Sequence, residues 1–252
     1  MHSWFAQNGL ALNPDKSDAV LFGSCHSTKS LSVISHVDVA GTLVPTSDKV
    51  KLLCVMLDRH MTWDKHVNEI CRSAYFHTRA LRHVRIAISD DTAKTVAQAL
   101  VSSRFHYANS ILYGAPKYNI SKLQRAQNVL ERVVTRSHRR TSADALMHKL
   151  YWLPIEDRIV FKLALLTYKT LLLDSPSYLS TFLTIYRPPR TLHSSNSNLL
   201  CATRTKTVTG SRAFRCAAPV IWNSLPVDIK SVCSIESFRT KLKMFLFRKS
   251  CT

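Results

Sequence analysis

Glycine is scarce in this chain, at only five of 252 residues. Glycine-rich phosphate loops, tightly turned β-barrels and collagen-like repeats all need more glycine, so these classes are excluded. With 46% hydrophobic residues the chain can still fill a core, which makes wholesale disorder a poor description. The shortage of glycine therefore favours a fold in which helix dominates.

Closely spaced cysteines and long apolar runs are also missing. The seven cysteines lie at least 15 residues apart, so no Cys-x-x-Cys zinc or redox motif occurs. An odd, scattered set without a signal peptide predicts buried thiols in a reducing compartment. The most apolar stretch, residues 163–173, contains Lys169 and is too short to span a bilayer. We therefore expect an intracellular protein, nuclear or cytoplasmic, with no membrane partner.

Acidic residues are outnumbered by basic ones. The chain has 35 Lys and Arg against 16 Asp and Glu, a formal net charge of +19, and no acid occurs between Asp174 and Asp228. Such a balance favours a polyanionic partner, because each bound cation displaces a counterion from a phosphate backbone.

The hydrophobic spacing changes along the chain and predicts an α+β, mainly α fold. Short apolar runs bounded by turn residues predict strands at 19–22, 31–34, 37–40, 43–44 and 50–57. The last run is apolar almost throughout, which predicts a strand covered on both faces. Three- and four-residue steps then predict helices after Thr62, from Ser89 to Ile111, at 120–134, at 155–173 in a central position, and after Ser234. Residues 186–215, rich in Pro, Ser, Asn and Thr, predict a long basic loop.

No pattern supports a catalytic or metal centre. Asp90 and Asp91 follow Ser89 at a predicted helix start, where acids interact favourably with free backbone N–H groups. His66 and His77 share a helix face but lie about 16 Å apart along it, too far to share an ion. No Gly-x-Ser-x-Gly elbow and no Gly-x-x-x-x-Gly-Lys loop occurs. We predict neither a cofactor nor a bound metal.

Basic residues cluster on three predicted helices. A single cluster would be explained as a solvated face, but three clusters with few acids predict non-specific contact with RNA or DNA. The last helix carries Arg239, Lys241, Lys243, Arg248 and Lys249, and Arg85 belongs to the cluster on the first. The candidate nucleic-acid-binding residues lie on the first and third helices: Arg72, Arg79, Arg82, Lys122, Arg125, Arg132, Arg136, Arg139 and Arg140.

Several segments occur in an order and spacing that cover almost the whole chain. They are residues 8–17 with 21–23, 53–58 with 61–67, 112–114, 123–128, 152–155 with 158–159, 210–214 and 218–226. Together they resemble the C-terminal part of a reverse transcriptase from a non-LTR (LINE-type, jockey-like) retrotransposon. The resemblance implies a palm remnant with a primer-grip-like strand at 1–58, a helical thumb-like bundle at 59–150 and a helical C-terminal extension at 151–252.

The same resemblance implies a truncated, catalytically incompetent RNA-directed DNA polymerase. The family's Ala-Asp-Asp hairpin precedes the segment that matches residues 8–17, so Mg²⁺ is expected only for an intact polymerase. Lys16 matches the palm lysine thought to protonate departing pyrophosphate, and it is expected to be idle here. The chain departs from the family at Cys54, where glycine is usual, and at His106 and Ala108, where Asp and Cys are usual.

Two other functions remain open. The helical bundle could be a protein-interaction scaffold whose charge is incidental, or the chain could be a polymerase fragment completed in trans by a fingers–palm chain. Binding that collapses with salt favours nucleic acid, whereas a salt-insensitive partner favours the scaffold. Primer extension only after addition of the second chain favours completion in trans.

Overall fold

The computed structural model describes residues 2–23, 34–187 and 198–250. All strands lie between residues 19 and 58 of the described chain, and helices form most of the rest, so the predicted α+β, mainly α fold class is confirmed. The residue contacts divide the chain into two compact units, residues 1–69 and 70–252. The predicted boundary between a thumb-like bundle and an extension at residue 150 stays a prediction.

The first unit contains a small sheet and a separate hairpin. Its elements are α1 (His2–Gln7), β1 (Ala19–Val20), β2 (His36–Val39), β3 (Thr42–Ser47), β4 (Lys49–Leu52) and β5 (Val55–Asp58). β3 pairs antiparallel with β2 and parallel with β1, while β4 pairs antiparallel with β5. Ala40 and Gly41 both have positive φ, as a two-residue hairpin turn requires. Residues 31–33 of the predicted strand 31–34 lie outside the described residues.

The prediction of one strand over residues 50–57 is wrong. The chain reverses at Leu53 and Cys54, whose φ angles of 46° and 63° are both left-handed, and β4 and β5 form the two arms of a hairpin. Leu53 is 78% exposed, so this segment is not covered on both faces. The turn has neither Gly nor Asn at these positions, so the usual sequence signal for a reversal is missing.

Helix α2 begins in the first unit and continues into the second, which is helical. The helices after the strands are α2 (Asp64–Val84), α3 (Asp90–Ala97), α4 (Ser103–His106), α5 (Lys117–Thr135), α6 (Ala143–Leu150), α7 (Ile155–Leu173), α8 (Ser177–Ser180), α9 (Val208–Ser211), α10 (Phe214–Ser224), α11 (Val227–Lys230) and α12 (Ile235–Lys249). α7 packs against α5, α10 and α12, which confirms its predicted central position. The Tyr168 ring on α7 stacks on Phe238 of α12, with centroids 4.1 Å apart. No helix among the described residues has the length and apolarity needed to cross a membrane.

Asp58 accepts hydrogen bonds from the residues that lead into α2. Its carboxylate accepts from the backbone N–H groups of Thr62 and Trp63, each at 2.9 Å. Thr62, the predicted N-cap, accepts from the Asp64 N–H only at 3.5 Å. The Asp58 carboxylate at the end of β5 thus fixes the two residues that precede the helix.

The predicted helix from Ser89 to Ile111 is interrupted twice. A π-helical turn, Gln98–Ser102, separates α3 from α4, and Ala108 with φ 49° precedes a short 3₁₀ helix, Asn109–Leu112. A π turn adds one residue to a helical turn, and apolar residues at three- and four-residue steps can still lie on one face across it. The spacing therefore does not reveal the π turn.

The predicted loop 186–215 ends earlier than expected. Residues 188–197 lie outside the described residues, Ile185 pairs with Leu200 in an isolated bridge, and α9 and α10 begin at Val208 and Phe214. α10 forms despite Pro219 because it buries Ala218 and Trp222 against the core.

The prediction of buried thiols is only partly right. Cys71 and Cys216 are buried, whereas Cys54, Cys201 and Cys233 are exposed, and all five are free thiols. Composition shows that no disulfide framework is expected, but it does not show which cysteines lie on the surface.

Candidate nucleic-acid interface

A groove of about 740 Å³ lies between the C-terminal ends of α2 and α5 in the second unit. The residues that line it are Arg82, Arg85, Ile86, Val129, Arg132, Val133, Arg136, Ser137 and Arg139. No Asp or Glu of the described chain is part of this lining. We call this feature the arginine groove.

Two of these arginines join the helix ends by exchanging hydrogen bonds. Arg85, only 4% exposed, donates from Nε and Nη2 to the Val134 carbonyl at 3.0 and 2.7 Å, and it forms an ion pair with Asp90. Arg136 donates from Nη2 to the carbonyls of Arg85 and Ile88 at 2.9 and 3.1 Å. The last carbonyls of a helix lack intrahelical partners and attract cations, so these bonds stabilise both ends. The exchange fixes the shape of the groove.

Arg132 is held in the groove wall. It is half-buried, and it donates from Nη1 to the Asn128 carbonyl at 3.1 Å and from Nη2 to the Thr141 carbonyl at 3.3 Å. By contrast, the exposed side chains of Arg82 and Arg139 make no hydrogen bond or ion pair with any other residue that the structure describes. The groove therefore combines fixed arginines with two that have their N–H groups available.

Lys122 and Arg125 extend the basic surface along α5 beyond the groove. Burial raises the pKa of the Cys71 thiol on α2, and the positive charges of Lys122 and Arg125 act against that rise, which shows that both cations lie near Cys71. The Lys122 ammonium also sits 5.5 Å from the centroid of the Tyr118 ring. From Lys122 to Arg136 the basic row is about 21 Å long at the rise of an α-helix.

The remaining predicted residues lie apart from the groove. Arg72 and Arg79 are exposed on α2, and Arg140 is exposed in the turn after α5. The structure therefore brings together Arg82, Arg132, Arg136 and Arg139 of the predicted set. Arg85 completes the groove: the sequence placed it in the basic cluster on the first helix, three residues after Arg82, but not among the candidate binding residues.

The acids near the groove belong to a helix start, as predicted. Ser89 caps α3 by accepting from the Thr92 N–H at 3.1 Å, and Asp90 and Asp91 lie in the first turn. The hydrogen bond from Arg85, together with its charge, lowers the pKa of Asp90. Asp90 is therefore a charged partner of Arg85.

Metal ligands do not converge in the described residues: no three His, Cys, Asp or Glu side chains there could hold one ion. Lys16 lies exposed in the 3₁₀ turn Pro14–Lys16 of the first unit. No metal-binding group can thus be assigned among the residues that the structure describes.

No protein-family model, curated protein or solved structure matches this chain. The function is therefore inferred from the side chains and their surroundings.

Proposed function

We propose that the second unit binds RNA or DNA through its phosphates at the arginine groove, with little sequence preference. The observation that carries the proposal is the convergence of five arginines on one groove without an acid in the described lining. A guanidinium presents its N–H groups as a planar fork that matches two phosphate oxygens, so arginine is well suited to this contact.

The dimensions of the basic surface fit a backbone contact. A row of about 21 Å corresponds to roughly six base pairs of duplex at 3.4 Å each. The contacts offered are mainly guanidinium and ammonium groups, which position a backbone but carry no information about base sequence. A nucleic-acid partner also agrees with a nuclear or cytoplasmic location.

Salt-dependent binding of a short duplex, followed by fluorescence anisotropy, tests the proposal. In the R82Q/R139Q double variant, two phosphate contacts are lost, so the slope of log affinity against log salt should flatten by about 1.8 on DNA. Arg132 and Arg136 are less suitable for this test, because their hydrogen bonds to backbone carbonyls support the fold.

A matched control removes the same charge elsewhere. Arg204 and Lys206 are exposed in the segment before α9, outside the groove, so the R204Q/K206Q variant should keep the wild-type slope. Equal losses in the two double variants between about 50 and 200 mM salt would show that net charge, rather than the groove, determines binding.

We further propose that this binding activity descends from a reverse transcriptase and that the chain alone does not polymerise. Support comes from the segments at 8–17 and 53–67, which resemble the family, and from the lack of a counterpart to its Ala-Asp-Asp hairpin in this sequence.

A protein-interaction scaffold is the second candidate, and one observation favours it. Phe76 on α2 and Ile86, two residues beyond its end, are 69% and 87% exposed, and exposed apolar surface can mark a protein contact. Binding to such a partner would persist at high salt and weaken in an F76S variant, whereas phosphate binding would weaken at high salt and be unchanged in F76S, because Phe76 is outside the groove lining.

A further inference from the structure

A second cavity, of about 390 Å³, lies on another part of the helical unit. Its lining comes from the π turn and α4, from the segment between α6 and α7, and from α7 and α12: Gln98, Ser102, Ser103, His106, Tyr151, Trp152, Leu153, Arg158, Phe161, Arg239 and Lys243. This volume falls in the range of about 300–1,000 Å³ that small-molecule sites occupy. We call it the Arg158 cavity.

The Arg158 cavity contains a buried charge that is only partly compensated: burial lowers the pKa of Arg158 to about 10, and the charge of Glu131, which is outside the lining, acts against that fall. Arg158 is 5% exposed, and its guanidinium donates from Nε to the Leu153 carbonyl at 2.8 Å and lies 3.1 Å from the His106 Nε2 through Nη1. None of the ion pairs among the described residues involves Arg158, Arg239 or Lys243. A buried charge normally needs a charged partner, because its desolvation is expensive.

The pKa shifts of His106 and Lys243 also reflect the positive charge of Arg158. Desolvation, reinforced by the positive charges of Arg158 and Lys162, lowers the pKa of His106 to about 4. Burial, and then the charge of Arg158, lowers the pKa of Lys243. Glu236 lines an adjoining cavity with Arg239 and Lys243; its carboxylate accepts a hydrogen bond from Ser234 at 2.9 Å, and the charge of Arg239 helps to lower its pKa. The lining of the Arg158 cavity therefore carries three cations and no Asp or Glu of the described chain, while Glu131 and Glu236 act on these cations from outside it.

A second, independent feature is a buried polar group without a partner. Ser102 is 5% exposed, and its hydroxyl makes no hydrogen bond with any described residue, although the side chain lines the cavity. The π turn Gln98–Ser102 brings this residue to the lining, and such turns are frequent at functional sites. A ligand oxygen would give the hydroxyl its missing partner.

The other walls are aromatic. Tyr151, Trp152 and Phe161 line the cavity, the Lys243 ammonium lies 4.4 Å from the Tyr151 ring centroid, and the Arg158 guanidinium carbon lies 5.8 Å from that of Trp152. Aromatic and cationic surfaces of this kind suit the flat ring of a base as well as an anion.

We propose that the Arg158 cavity binds a nucleoside monophosphate, with the phosphate against Arg158, Arg239 and Lys243 and the base against the aromatic walls. The same chemical group occurs in a free mononucleotide and at the 5′-phosphorylated end of a strand. The site is distinct from the arginine groove, whose lining shares no residue with it.

Calorimetric titration of the full chain with AMP, adenosine and inorganic phosphate tests the proposal. AMP should bind at least about tenfold more tightly than either fragment, because it engages the cations and the aromatic walls together. K243Q and R239Q should each weaken AMP binding about tenfold or more, through loss of a charge-assisted hydrogen bond. K241Q, on the same helix but outside the lining, is the matched control and should bind as wild type does.

Two further measurements separate this site from effects of variant folding and from binding at the arginine groove. In the wild-type chain, saturating AMP should raise the pKa of His106 above its value of about 4, because the phosphate offsets the charge of Arg158; NMR titration of the His106 ring would follow this change. R82Q/R139Q should keep full AMP affinity even where it loses duplex binding. Wild-type affinity in K243Q, an unchanged His106 pKa, or phosphate binding as tight as AMP would each overturn the proposal. Competition by a 5′-phosphorylated oligonucleotide, but not by its unphosphorylated form, would identify a strand end as the source.

Discussion

Glu131 makes stability depend on pH in a way that can be calculated. It is fully buried on α5, and its Oε1 accepts a hydrogen bond from Gln127 at 2.9 Å, while Oε2 has no partner among the described residues. Burial raises the pKa of Glu131 to about 7, although the Gln127 hydrogen bond and the charges of Arg158 and Arg132 act against the rise.

The direction of the effect follows from the two protonation states. In the unfolded chain the carboxyl titrates near 4.5, so at pH 5–7 the unfolded state releases a proton that the folded state retains. The contribution of Glu131 to stability is therefore greatest below about 4.5 and falls as the pH rises towards 7. At 1.36 kcal/mol per pKa unit, the loss amounts to about 3 kcal/mol.

Glu131→Gln should abolish this loss, because the amide has no proton to release and can still accept from Gln127. Urea denaturation followed by circular dichroism would give the free energy of unfolding at several pH values. The difference between variant and wild type should grow by about 3 kcal/mol in favour of the variant from pH 4.5 to pH 8. Glu156→Gln, at an exposed position on α7, is the control and should not reproduce this change of about 3 kcal/mol. A difference between Glu131→Gln and wild type that is constant across this range would refute the reasoning.

Two other predictions concern the hairpin and the chemistry. Cys54→Gly should raise the free energy of unfolding by about 0.5–1 kcal/mol, because it removes a Cβ from a left-handed turn position. Chemical denaturation measures this difference, and a lower free energy of unfolding in the variant would contradict the prediction. The purified chain should extend no primer on an RNA template with Mg²⁺ or Mn²⁺, because the family's metal-binding aspartates have no counterpart in its sequence. Extension above a heat-inactivated control that is lost in Lys16→Ala would contradict this, and extension only with an added fingers–palm chain would support completion in trans.

Sequence reasoning worked where one local signal determined the structure. The helix Ile155–Leu173 has the predicted bounds, since Pro154 precedes its first turn and apolar residues surround it on nearly all sides. The β4–β5 hairpin was missed because its turn uses Leu53 and Cys54 in a conformation that favours glycine. At these two positions the backbone φ angles are positive, although neither residue type is typical of such a turn.

The arrangement of the arginine groove could likewise be predicted only in part from the sequence. Charge counting identified four of its arginines but could not show which of the nine candidates converge. Convergence depends on the contact between Arg85 and the Val134 carbonyl, 49 residues further along the chain, and such long-range contacts leave no periodic trace in the sequence. The same holds for Arg239 and Lys243, which share a cavity with Arg158 of another helix.

The exchange of hydrogen bonds between Arg85 and Arg136 has a consequence for the rate of association. Immobilising a long side chain on binding costs about 0.5–1.5 kcal/mol, but the carbonyl oxygens already hold Arg85, Arg132 and Arg136 in place. These three side chains therefore need little rearrangement when a phosphate binds. The association rate can then be set by the long-range electrostatic attraction between the basic groove and the phosphates. How long a complex lasts would then depend mainly on Arg82 and Arg139, whose exposed side chains have their N–H groups available to the phosphate.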